Sequence, residues 1–231
     1  MCGKKRRNSM KKVLLAATLL VGFAASAQAA SIVGTKHDLS NGIASANSVH
    51  STDQNQTCVF CHAPHNAITN KLLWNRNAIS GAGMKIYTSY NTSAMRTALT
   101  QNTLTDDSTS LLCLSCHSLG SVAAVFSNTQ TTLKTPAAYG GTSFPSVTGN
   151  MTNLTNDHPV GINYVAAQGV APTALNAASG GTVGSLRLFK SSVSGNTMEC
   201  ASCHDVHNNA NGKFLAQSNA NSALCVVCHN K

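Results

Sequence analysis

Four C-x-x-C-H motifs constrain this chain more than any other feature of it. Cys58 and Cys61, Cys113 and Cys116, Cys200 and Cys203, and Cys225 and Cys228 form four C-x-x-C pairs. The pair alone is ambiguous, because zinc sites and thiol-disulfide enzymes use it too. The next residue decides: His62, His117, His204 and His229 each follow a pair directly. With 9 histidines in 231 residues, four such successions by chance have a probability of roughly two in a million. C-x-x-C-H is the pattern of covalent c-type haem attachment. Its cysteines stand at i and i+3 and its histidine at i+4, spacings that share one face of a helical turn. One turn can thus offer two thiols to a macrocycle and an imidazole to its iron. The reading is four haem c groups on one chain.

The N-terminus indicates the compartment. Met10, Lys11 and Lys12 open a charged region, Val13 to Ala25 is apolar, and Ala27-Gln28-Ala29 is a small-residue cleavage site. That is the pattern of a secretory signal peptide over residues 1–29. Its apolar run is short for a bilayer span, and nothing downstream replaces it. Met10 is a second candidate start, and from it Cys2 would fall outside the chain. The expected mature part, 30–231, is one tetrahaem domain.

Charge excludes some partners. Six of the sixteen Lys and Arg lie in residues 1–29, which leaves ten basic and seven acidic residues beyond them. Eight haem propionates would turn that small positive balance negative. The basic pI therefore does not argue for nucleic acid or an anionic membrane. The sequence has no Gly-rich phosphate loop, and no Ser-His-Asp set stands out.

The first cysteines of successive motifs are 55, 87 and 25 residues apart, so a close pair ends the chain after a long insertion. Residues 118–199 are rich in Ser, Thr, Asn, Gly and Ala, and read as mostly loop. Gly181 to Ser191, followed by Ser194-Gly195-Asn196, reads as strand and turn. Short helices are expected over Met84 to Tyr90, over Ser93 to Leu99, and at the motifs. The expected fold class is mostly irregular, with short helices and few strands, organised around four covalent haems. With one Trp in the whole chain, the haems are expected to supply much of the core. Without them the chain should be largely unfolded.

Each motif histidine offers one axial ligand, and the second ligand decides function. Two closed faces suit electron transfer, whereas an open face suits an enzyme. Five histidines lie outside the motifs: His37, His50, His65, His158 and His207. Four are needed to close every haem, so bis-histidine ligation is possible with one spare. His65, His207, His158 and His37 are the expected distal ligands, and His50 is the possible or spare one. His65 follows His62 by three residues, and His207 follows His204 by three. Such neighbours lie roughly 5–6 Å apart on one face of a turn. Two ligands of one iron approach from opposite faces, so His65 and His207 should each serve a neighbouring haem. Haems linked in this way form a closely packed chain. Met84, Met95, Met151 and Met198 read as core fillers. Asp38, Asp157 and Asp205, each beside a histidine, are candidate partners that orient an imidazole.

The segments Thr35–Ser40 (TKHDLS), Cys58–Ala67 (CVFCHAPHNA), Leu72–Arg76 (LLWNR), Leu112–His117 (LCLSCH), Asp157–Val160 (DHPV), Cys200–His207 (CASCHDVH) and the C-terminal LCVVCHNK carry a resemblance. They resemble the multihaem cytochromes with paired C-x-x-C-H motifs secreted by metal-reducing bacteria. The resemblance implies bis-histidine haems and an extracellular or outer-surface location. It also implies redox partner cytochromes and delivery of electrons to external acceptors such as metal oxides. Some relatives polymerise, and one haem then takes its second ligand from a neighbouring subunit. His37 and His50, early in the chain, are the candidates for such a crossing ligand. A head-to-tail contact of that kind does not close and generates a filament. Two alternatives stand beside this one: a monomeric periplasmic shuttle, and a small-molecule reductase with one open haem.

Overall fold

The computed structural model describes residues 31–41, 54–63, 67, 73–76, 79–118, 151, 153–192 and 195–231. The chain divides after Ser31, and the unit Ile32–Lys231 is the one described here. The expected leader over residues 1–29 lies outside the described residues, as do His50 and His65.

Regular structure is short, and most of the described chain is loop, as expected. The helices are α1 (Ser93–Ala98), α2 (Ser110–His117), α3 (Tyr164–Val170) and α4 (Cys200–Cys203). The strands are β1 (Ile162–Asn163), β2 (Thr182–Val183), β3 (Leu186–Arg187), β4 (Phe189–Ser191) and β5 (Gly195–Met198). They form an antiparallel sheet in the order β1-β5-β4 and a separate antiparallel pair, β2-β3. The strand reading of Gly181 to Ser191 thus resolves into three short strands, and Gly195 and Asn196 already belong to the next.

Local chemistry explains the helix boundaries. Thr92 caps α1 by accepting from the Met95 N–H at 3.1 Å, and Asn163 caps α3 by accepting from the Ala166 N–H at 3.0 Å. Each cap satisfies one backbone donor that the first turn leaves over. The helix α3 is not anticipated by the sequence, since polar loop-like stretches surround it.

One expected helix is not formed. Met84 to Tyr90 runs extended, with Lys85 bridged to both Thr103 and Asn153. Met84 and Ile86 are buried while Lys85 between them is exposed. That alternation has the period of a strand, and burial on one face overrides weak helix propensity.

The chain also has an apolar cluster of its own. Met84, Ile86, Leu99, Leu104, Leu114, Ile162, Tyr164, Val183, Leu186 and Met198 belong to one buried cluster. Medium-sized aliphatic residues make up most of it. Met95 and Met151 pack against the same cluster. Gly81 lets the chain close on it: a Cβ there would lie 2.7 Å from the carbonyl carbon of Leu104. The cluster reaches the motifs, since Cys228 is buried in it and Cys203 packs against it. A second, smaller cluster joins Leu39 and Phe60 to Cys61 and Cys116.

Asp107 ties the start of α2 to the end of β4. Its carboxylate accepts from the Ser191 hydroxyl at 3.1 Å and the Ser192 hydroxyl at 2.6 Å. Burial acts to raise the Asp107 carboxyl, but hydrogen bonds from Ser192, Thr105 and Ser191 outweigh it and hold it well below the usual range. The folded value is the lower one. Its stabilising contribution is therefore complete above pH about 4 and is lost as pH falls through the folded value. Melting temperature measured against pH should fall less steeply below pH about 4 in Asp107→Asn than in the parent.

Candidate haem-attachment site

Each motif is a single helical turn. Cys58 to Phe60 lie in the 3-10 turn Thr57–Phe60, Cys113 and Cys116 in α2, Cys200 and Cys203 in α4, and Cys225 in the 3-10 turn Cys225–Val227. The turn closes by a backbone bond from the histidine N–H to the first cysteine carbonyl. It measures 2.8 Å for His62 to Cys58, 3.1 Å for His204 to Cys200, and 3.0 Å for His229 to Cys225. All eight motif cysteines are free thiols. Among the described residues, no group of three or more His, Cys, Asp or Glu side chains is placed to bind a metal ion directly.

The histidines pair instead. His37 and His117 have ring centroids 6.1 Å apart. His62 and His207 are 6.2 Å apart, with planes at 17°. His158 and His229 are 6.2 Å apart. Two imidazoles on opposite sides of one metal ion, each bonded at roughly 2.0–2.1 Å, would put their centroids about 6.3 Å apart. All three pairs match that separation, and each joins one motif histidine to one histidine outside the motifs. His207 stands against His62, which belongs to the first motif, and not against His204 in its own. His37 faces His117 of its own chain. Of the two histidines suggested as ligands for a neighbouring copy, this leaves His50. His204 has no ring partner among the described residues.

Hydrogen bonds orient several rings. His204 Nδ1 lies 3.0 Å from the Lys213 carbonyl, and His158 Nδ1 lies 3.1 Å from the Pro159 carbonyl. A carbonyl there holds the proton on Nδ1 and leaves Nε2 with its lone pair outward. Asp205 accepts from the His207 backbone N–H at 3.0 Å, and its carboxylate stands 3.7 Å from His207 Nδ1, longer than a hydrogen bond. Asp38 is used differently: it accepts from the Gly34 N–H at 2.9 Å and the Ser40 hydroxyl at 2.7 Å, and so folds the loop that carries His37. Asp157 leaves the orienting of His158 to Pro159.

Electrostatics keeps imidazoles neutral, which is the form that binds a metal. Burial pushes His37 down to about 4, and repulsion by His117 and His204 adds to it. Burial lowers His117 as well, with His204 adding. Burial lowers His229, with His158 and Lys231 adding.

Residues that sequence reasoning passes over build the walls. Trp74 stands edge-on to His62 at 6.0 Å and donates to the Ser115 hydroxyl at 3.3 Å. Arg76 is fully buried and donates to the Ser115 carbonyl at 3.3 Å. These contacts bind the first motif to the second. Phe214 stands edge-on to His37 at 4.4 Å. Phe214 and Lys213 both take positive φ, 57° and 50°. That strained turn presents the Phe214 ring to His37 and the Lys213 carbonyl to His204. Tyr164 and Asn176 clasp the fourth motif. The Tyr164 hydroxyl donates to the Cys228 carbonyl at 3.2 Å, and Asn176 Nδ2 to the Val226 and Val227 carbonyls at 3.0 Å. Only Trp74 and Arg76 carried a sequence signal, because they lie in a segment that resembles the multihaem cytochromes.

Successive motifs meet through their cysteines. The Cys113 thiol is raised well above its usual range, first by its hydrogen bond to Cys200 and then by burial. Cys61 is pushed up to about 12 by burial, with Cys116 adding. Cys203 is raised to about 11 by burial, with Cys228 adding. The first motif thus feels the second, the second the third, and the third the fourth.

Residues 193–231 match the family described as the doubled CXXCH motif. The match spans the last two motifs and marks that stretch as covalent c-type haem-binding sequence of multihaem cytochrome type. No curated protein matches the chain.

Proposed function

We propose that this protein is an electron-transfer protein that holds four c-type haems and passes electrons along them without binding a substrate at iron. The observation that carries this reading is the common 6.1–6.2 Å separation of three histidine pairs. The haems would supply one-electron iron chemistry. The eight cysteines would tether them through thioethers, and His62, His117, His204 and His229 would each give one axial ligand. His207, His37 and His158 would give the second ligand to the irons of the first, second and fourth motifs. For His204 the candidates are His65 and His50.

The chain's own residues set the conditions for transfer. Paired imidazoles would close both faces of an iron to exchange with solvent. Carbonyls hold the rings of His204 and His158, which would limit rearrangement when charge changes. Cysteines couple the first motif with the second, the second with the third and the third with the fourth, and His207 brings the third motif's segment to the first, which supports close packing of the haems.

The signal-peptide pattern and the resemblance to secreted multihaem cytochromes support work outside the cell or at its outer surface, with electrons leaving for redox partners or external acceptors. The count of histidines leaves room for assembly. Three pairs use six of them, His204 needs one more, and His50 and His65 remain. If one of the two crosses to the next copy, a head-to-tail filament follows.

Two measurements on the purified, haem-loaded protein test this. Intact mass should exceed the mature polypeptide by four haems. Electron paramagnetic resonance of the oxidised protein should show low-spin iron throughout. Fewer haems would sink the tetrahaem reading. About a quarter of the iron as high-spin would mean an open face at one haem, with that of His204 the first to test, and would turn the reading toward a reductase or a broken filament. Negative-stain microscopy separates filament from shuttle, since monomers at full haem loading would end the assembly proposal.

A further inference from the structure

Glu199 lies directly before the third motif and is 1% exposed. Its Oε2 accepts from the Ser108 hydroxyl at 2.6 Å, the Ser110 hydroxyl at 2.5 Å and the Ser110 N–H at 3.1 Å. Its Oε1 lies 2.8 Å from the Thr197 hydroxyl, whose one proton is shared between Glu199 and the Phe189 carbonyl at 3.0 Å. The side chain also accepts from the Ser202 N–H in a reciprocal cap, in which the Ser202 hydroxyl accepts from the Glu199 N–H at 3.0 Å.

The direction of these bonds is set by their neighbours. The Ser108 hydroxyl oxygen already accepts from the Ser110 N–H at 3.2 Å, and that of Ser110 from the Cys200 N–H at 3.0 Å. The proton of each hydroxyl is directed at Glu199 Oε2, so that oxygen is an acceptor, the role a charged carboxylate oxygen takes. All of these partners are neutral, and among the described residues no Lys or Arg pairs with it. A buried negative charge is kept here by dipoles alone. Charge-assisted bonds of this kind offset its desolvation.

The position matters more than the burial. Ser110 opens α2, which carries Cys113, and Cys200 follows Glu199 directly. Cys113 and Cys200 are hydrogen-bonded to each other, and the Glu199 charge acts on both thiols. The carboxylate thus sits where the second and third motifs touch.

We propose that Glu199 sets potentials: its buried charge holds the haems attached at Cys113/Cys116 and Cys200/Cys203 at lower reduction potentials than a neutral residue there would. This rests on the haem reading above. A ferric haem carries one more positive charge than a ferrous one, so a fixed negative charge in a low-dielectric setting favours the ferric state. The middle of the chain of haems is then electrostatically distinct from its ends.

The test is a haem-by-haem redox titration, followed by proton NMR of the haem methyl groups, on the parent, Glu199→Gln and Ser108→Ala. Glu199→Gln removes the charge and keeps the shape. The ferric-to-ferrous ratio of the two middle haems at a fixed applied potential should fall about tenfold. For a one-electron couple that is an upward shift of about 59 mV. The two outer haems should move less. Ser108→Ala keeps the charge and removes one donor, so the same two haems should shift downward. A role limited to capping α4 predicts no such opposition of sign. Loaded, low-spin Glu199→Gln with unmoved potentials, or both variants shifting the same way, would overturn the proposal. If Glu199→Gln does not mature, Ser108→Ala decides alone: a downward shift of the middle pair supports it, and no shift ends it. Parent protein without haem absorption would overturn the haem reading instead.

Discussion

In oxidised, haem-loaded His207→Ala, one iron in four becomes high-spin, and it is the iron attached through Cys58 and Cys61. The expectation follows from the position of His207 against His62, 6.2 Å away, although His207 lies only three residues from His204. A double variant gives the clean discrimination. If His62 and His207 serve one iron, His62→Ala/His207→Ala disturbs one haem and leaves three low-spin. If they serve different irons, two haems lose a ligand and half of the iron changes. Added free imidazole should return the single variant to low-spin, because it fills an opened face. Full low-spin iron in His207→Ala would mean that His207 is no ligand, and the argument from the three matching separations would fall with it. The same logic extends to His37 and His158. His50→Ala and His65→Ala then decide the ligand of the third motif. If the ligand crosses between copies, the variant that opens that haem should also abolish filaments.

The second large effect is on folding. Chain secreted without haem attachment should lack a cooperative native state, with collapsed NMR dispersion and no sharp thermal transition. The reason lies in the lengths of the elements. The helices have four to eight residues and the strands two to four. Helices below about 12–15 residues are marginal in water, and so are isolated hairpins. Among the described residues, the large apolar cluster includes Leu114 of the second motif and reaches the third and fourth, whereas the first packs against the small cluster of Leu39 and Phe60. A stabilising group bound only by the native chain shifts the balance by mass action, and a covalent one does so permanently. Because that large cluster exists, residual compaction should be greatest over residues 79–118 and 160–228. A fully folded apo chain by hydrogen exchange would contradict this expectation.

Particular residues show how far the sequence could be read. The helical turn at each motif was legible, because i, i+3 and i+4 spacing is local geometry. That His207 should pair with a histidine other than His204 was legible for the same reason. Its actual neighbour, His62, was not, since 145 positions of chain separate them and no periodicity links them. Met84 to Tyr90 misled because a short apolar run suits helix and strand alike, and only burial on one face decides. Glu199 gave no signal at all. A glutamate before a motif reads as solvated, and its buried role depends on Ser108 and Ser110, some ninety residues earlier in the chain.

The sequence by itself determined four C-x-x-C-H motifs, a supply of further histidines, and a loop-rich chain with short elements. These follow from residue identity and spacing within one or two turns. Only the tertiary structure decided which histidines face each other, which motifs come together through their cysteines, and that one carboxylate is buried where the second and third meet. Those are contacts between segments distant in sequence, set by packing of an apolar cluster whose members carry no mark of their partners.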